Sequence, residues 1–138
     1  MWWIYALLSA LFAALTAVMA KIGIKGVDSN LATAVRTVVI LVLAWGIVYF
    51  RGGLEQVHTL TRTNLLFLGL SGLATGLSWI FYFRALQLGK VSQVAPVDKL
   101  SVALAILLSV VFLGEQITWQ AGIGAGLIIV GTLVLIWG

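Results

Sequence analysis

The chain has 138 residues with a formal charge of +4; 62% of them are apolar and only 9% charged. Soluble domains carry about 25% charged residues, so too few polar side chains are present here to cover a water-soluble fold, and the apolar content excludes disorder. A pI of about 9.9 does not signal nucleic acid, because the basic residues sit singly at helix ends and never in a run of five.

A bilayer core of about 30 Å needs roughly 20 apolar helical residues. Five segments reach that length, which predicts an all-α polytopic membrane protein with spans over 2–20, 31–50, 64–88, 92–113 and 118–137. The runs are about twice the length of a barrel strand and lack its alternation. The first span opens on MWWIYALLSA, with no basic leader, and reads as a retained helix. Asp28, Ser29 and Asn30 supply cap oxygens for the second span, and Arg51, Gly52 and Gly53 close it. Segment 51–63 holds Glu55, His58 and Arg62 and reads as a solvated turn. Thr63 or Asn64 is expected to cap the third span, Ser92 the fourth and Thr118 the fifth. Glycines after the second, third and fourth spans suit a left-handed closing residue.

Loop charge sets the expected orientation. Lys21, Lys25, Arg36, Arg84, Lys90 and Lys99 fall toward the side opposite the N-terminus, against Arg51 and Arg62 on the N-terminal side. The positive-inside rule then puts the N-terminus outside and the C-terminus in the cytoplasm of a plasma (inner) membrane.

Polar residues within the spans recur at helical spacing. Ser71, Thr75, Ser78 and Tyr82 share one face of the third span; Tyr5, Ser9, Phe12 and Thr16 share one face of the first. Thr33, Arg36 and Thr37 group on the second, and Asp98, Ser101, Ala105 and Ser109 on the fourth. Any single hydroxyl is accounted for by interhelical hydrogen bonding, at about 0.6 kcal/mol per contact. Taken together, the stripes outline a polar substrate cavity lined by the first four spans, with the fifth as a packing element. The cavity candidates are Asp98, Lys99, Arg36, Ser71, Thr75, Ser78, Trp79, Tyr82, Tyr5 and Ser9. Asp98 and Lys99 are the sharpest of these, because intramembrane ionisable groups contact substrate or ion, or else form a structural ion pair. Neighbours on a helix point about 100° apart, so each is expected to find its partner on another helix, with Arg36 or Arg84 available to Asp98. Pro96 is expected in the first turn of the fourth span, where its missing N–H costs little.

Trp2, Trp3, Trp45, Trp119 and Trp137 fall at span ends as interface anchors, whereas Trp79 lies inside the third span, to stack on a substrate or fill the core. Gly72 with Gly76 and Gly122 with Gly126 form two GxxxG pairs that suit close helix packing, within the chain or at a dimer seam. No cysteine is present, and His58 alone cannot hold a metal. With no paired acid and no Ser–His set, no catalytic residue, cofactor or metal is expected, and the chain does not read as an enzyme.

Residues 81–136 resemble the second part of an EamA-type domain of the drug/metabolite transporter superfamily. The likeness rests on Arg84-Ala85-Leu86-Gln87-Leu88-Gly89, Val94-Ala95-Pro96, Leu113-Gly114-Glu115 and the glycines 122, 124 and 131, with Trp3 and Lys21-Ile22-Gly23 similar at the start. It spans 1–138 as one five-helix domain, with Leu113-Gly114-Glu115 its most specific part. Members usually join two such units in inverted orientation. The resemblance therefore implies a half-size secondary transporter for a small metabolite or drug, working by alternating access after pairing with a second unit. The charge bias favours a parallel homodimer or a heterodimer over a self-inverted pair. Its partners are then the lipid bilayer, a small-molecule substrate and that second unit, and no nucleic acid. A non-transporting subunit that stabilises or regulates a partner, or a component of a lipid-carrier flippase, is the alternative. Small multidrug-resistance proteins have similar size but four helices and a glutamate in the first, and no acid occurs in the first span here. Glu115 reads as a turn element.

Overall fold

The computed structural model describes residues 1–137. They form α1 (Trp2–Gly23), α2 (Ser29–Phe50), a 3-10 helix (Gly53–Thr59), α3 (Arg62–Leu88), α4 (Val91–Asp98), α5 (Leu100–Leu113) and α6 (Trp119–Trp137). Five segments are long and apolar enough to cross a membrane, with α4 and α5 together making the fourth. The five spans match the expected ones to within a few residues at each end.

The caps show where local chemistry set the boundaries. Asp28 takes an extended backbone (φ −60°, ψ 135°), and its Oδ1 accepts from the Asn30 and Leu31 amides at 3.0 Å each. Thr118 accepts the Ala121 amide at 3.2 Å, as expected. Two expected caps are corrected. Thr61, rather than Thr63 or Asn64, accepts the Asn64 amide at 3.1 Å, so α3 begins two residues early. Lys90 occupies the cap of α4 without a side-chain bond, and Ser92 lies inside the helix. Gly52 (φ 68°) and Gly114 (φ 67°) close α2 and α5 in the left-handed region, where a Cβ would be strained. The third such glycine is Gly26 in the first connection, not the expected Gly89.

Segment 51–63 is not the plain solvated turn expected. Its 3-10 helix packs back on α2, and a Cβ on Gly53 would meet Val48 Cγ1 at 3.3 Å.

The chain clusters into two compact units, Met1–Val18 with Leu88–Gly138, and Met19–Gln87. In the first unit α4 and α5 both pack on α6. The fourth span is broken there. Pro96 is the sixth residue of α4, not a first-turn residue, so it gives no N–H to the Ser92 carbonyl inside the ladder. The helix ends two residues later, and the Lys99 amide is bonded to both the Ala95 (3.3 Å) and Pro96 (3.0 Å) carbonyls. The Thr132 hydroxyl of α6 donates to the Pro96 carbonyl at 3.1 Å and to its own Ile128 carbonyl at 2.8 Å.

In the second unit the buried residues are Ile24, Ser29, Thr33, Phe83 and Leu86, all at the end where α2 begins and α3 finishes. Lys21 Nζ donates to the Leu86 carbonyl, and Gln87 Nε2 donates to the Val27 carbonyl at 2.7 Å. The two bonds tie the last turn of α1 and the first connection to the C-terminal turn of α3, whose carbonyls lack helical partners.

Candidate functional site

Arg36 lies seven residues into α2, about 10 Å along the helix. Its Cζ stands over the Trp79 ring at 4.5 Å and the Phe83 ring at 5.1 Å. Trp79 is nine residues before the end of α3, so the guanidinium is turned toward the deeper of the two rings and away from the helix ends. Phe83 is 1% exposed, which fixes one wall, while Trp79 is half-buried. A charge at the centre of a span costs about 2.5–3.5 kcal/mol, and cation–π contact returns about 0.5–2 kcal/mol. The rings therefore offset part of that cost, and the Tyr82 side chain also interacts electrostatically with the guanidinium. The hydroxyl hydrogens of Thr33 and Thr37 go to their own helix: Thr33 donates to the Ser29 carbonyl and Thr37 to the Thr33 carbonyl, each at 2.8 Å.

Asp98 and Lys99 behave differently from expectation. They pair with each other, Nζ to Oδ2 at 3.5 Å, instead of reaching separate helices. The 100° argument holds for an unbroken helix, and the break after Asp98 removes that condition. The Lys99 side chain is 55% exposed and that of Asp98 35%, so neither is deeply enclosed. In the second unit, the two basic residues expected as partners for Asp98 have neighbours of their own: Arg36 stands over its two rings, and Arg84 Nη1 donates to Gln87 Oε1 at 3.2 Å.

Of the other candidates, Ser71, Thr75 and Ser78 lie on an exposed face of α3, and Thr75 donates to its own Ser71 carbonyl at 2.9 Å. The Tyr82 ring is 6.2 Å from that of Phe83. Tyr5 and Ser9 are exposed on α1. The structure thus joins Arg36 with Trp79 and Asp98 with Lys99, and leaves the serine and threonine stripes open.

The EamA-like transporter family matches residues 1–137. The chain belongs to this family. An "uncharacterized transporter in cobO 3'region" from Sinorhizobium sp is 48% identical over 134 residues, covering 97% of this chain and 95% of that protein. No solved structure matches significantly.

Within this EamA-like unit, the Leu113-Gly114-Glu115 motif is a helix-closing turn. The Gly114 amide donates to the Val110 carbonyl at 3.2 Å and the Glu115 amide to Ser109 at 3.3 Å. Two features escaped the sequence reading. Lys21, read as a helix-end charge, is bonded to a carbonyl of α3; the signal for it was the set of orphan carbonyls that every helix C-terminus carries. A pocket of about 360 Å³ is lined by Asp28, Ser29, Asn30, Ile80, Phe81 and Arg84. Asp28 had been accounted for as a cap, and no helical spacing links it to Arg84.

Proposed function

We propose that this EamA-like chain is a half-size secondary transporter that moves a small metabolite or drug across the plasma (inner) membrane by alternating access, after pairing with a second five-helix unit. Family membership is the observation that carries the reading. The relative named as a transporter supports it, since this chain covers 95% of that protein's length. The candidate substrate contacts are taken unit by unit: Arg36, Trp79, Tyr82, Ser71, Thr75 and Ser78 in the second compact unit, and separately Asp98, Lys99, Tyr5 and Ser9 in the first. The break at Pro96 to Lys99 gives the fourth span a place to bend as access alternates. Pairing is supported by the GxxxG glycines: a Cβ on Gly72, Gly76, Gly122 or Gly126 would meet nothing within 4 Å, so these surfaces are open for a second unit.

Reconstituted vesicles test the transport reading. The expected result is saturable uptake, above protein-free vesicles, of at least one member of a labelled panel of organic acids, amino acids and cationic drugs. Uptake that arises only when a partner chain is co-reconstituted, and is unchanged by substitution at Arg36 or Asp98, would instead make this chain a supporting subunit. Orientation is tested in the same cysteine-free background. With the N-terminus outside, an impermeant thiol reagent on intact cells labels Gln56→Cys and not Ser92→Cys. Labelling of both would mean insertion in two orientations and would favour a self-inverted pair.

A further inference from the structure

The guanidinium of Arg36 has five N–H donors, and two ring faces cannot take them all. Within the second compact unit no carboxylate stands within 4.0 Å of it, and its electrostatic neighbour there is the Tyr82 side chain. The chain has four acids, and each has its own place. Asp28 caps α2, Glu55 lies in the 3-10 helix, Asp98 pairs with Lys99, and Glu115 follows Gly114 in the closing turn. Thr33 and Thr37 have committed their hydroxyl hydrogens to α2 carbonyls, so the uncommitted donors on this face belong to Arg36.

We infer that Arg36, held over Trp79 and Phe83, is the contact for the carboxylate or phosphate group of an organic anion. A planar fork of N–H groups matches either group with two parallel bonds, and intramembrane burial strengthens the match by excluding competing water. The rings hold the guanidinium in place, and no carboxylate of the second unit neutralises it. Trp79 remains half-open beside the fork and offers a flat apolar wall to the body of such a ligand. Calling that ligand the cargo rests on the transporter reading; the binding site does not.

The test uses the full-length protein in neutral detergent, followed by tryptophan fluorescence at constant ionic strength. Sodium benzoate and sodium phosphate are titrated, with tetraphenylphosphonium as the cationic control. The same readout is taken in phosphatidylcholine vesicles with and without phosphatidylglycerol. A saturable response to benzoate or phosphate is expected, with half-saturation raised at least about tenfold in Arg36→Gln, the loss that accompanies one charge-assisted contact. Arg36→Lys keeps the charge but not the fork, and is expected to weaken binding several-fold. If Arg36→Gln loses helicity or aggregates, Arg36→Lys carries the test. A response confined to phosphatidylglycerol upholds the anion site and identifies its ligand as a lipid headgroup. Anion responses that do not depend on Arg36, or tetraphenylphosphonium saturating equally in wild type and Arg36→Gln, overturn the inference. Arg36-dependent binding without flux of any panel member sinks the transporter reading alone, and flux indifferent to benzoate and to Arg36 sinks the site alone.

Discussion

Two places in this protein put charge well away from the span ends, and they manage it in opposite ways. Asp98 and Lys99 carry both signs on neighbouring residues and cancel each other where the helix is broken. Arg36 carries one sign on an unbroken helix, and two aromatic rings hold it without cancelling it. The first arrangement is complete by itself. The second retains capacity for a ligand. The number of charged residues therefore misleads as a guide to function; what separates the two places is whether the local charge is already balanced.

The largest expected effect tests that difference directly. Arg36→Gln should lower reconstituted flux by about tenfold or more, since a hydrogen bond to a charged group is worth about 1.5–3 kcal/mol. The paired change of Asp98→Asn with Lys99→Gln removes both signs together and should lower flux by about fivefold at most, because part-exposed ion pairs contribute about 1 kcal/mol or less. Equal losses would erase the distinction between the two places. A larger loss at Asp98 than at Arg36 would reverse it and favour Asp98 as the group that contacts substrate or ion.

A smaller effect is expected at the helix break that permits the Asp98–Lys99 pair. Pro96→Ala returns an N–H to the Ser92 carbonyl, and a proline inside a helix costs up to about 3 kcal/mol. Stability against denaturing detergent should rise by about 1 kcal/mol or more. Flux should fall, because a continuous fourth span resists bending. If stability rises and flux is unchanged, the break serves only to pair the two charges.

The five spans were legible in the sequence because length and apolar content suffice to define them. Asp28 and Thr118 were legible as caps because each is the plain oxygen-bearing choice at a helix start. Thr61 was not, since Thr61-Arg62-Thr63-Asn64 offers three cap oxygens within four residues and the choice depends on where the 3-10 helix ends. Trp79 stood out from the other tryptophans by its place inside a span, and the structure gives it a neighbour in Arg36. The charge partners were beyond reach for a physical reason. Helical spacing tells which residues share a face, but not which face meets which helix, nor that a proline two residues upstream would let Asp98 and Lys99 turn toward each other. The Lys21 and Gln87 bonds depend in the same way on two chain ends meeting more than 50 residues apart in sequence.

The smallest expected effect concerns how the break is held. Thr132 is 3% exposed, and its one hydroxyl hydrogen is shared between the Pro96 and Ile128 carbonyls. Thr132→Val removes the hydroxyl with little change in volume. The Pro96 carbonyl then still receives the Lys99 amide at 3.0 Å, so it is not left unpaired. The loss should therefore stay near the average interhelical bond of about 0.6 kcal/mol, read from equilibrium unfolding in denaturing detergent. Thr132→Ala should cost more than Thr132→Val, because it adds a cavity at a buried position. If Thr132→Val instead costs more than about 2 kcal/mol, well above that interhelical average, the hydroxyl is what fixes α4 on α6. The self-balanced charge pair would then depend on a tertiary contact, as Arg36 does.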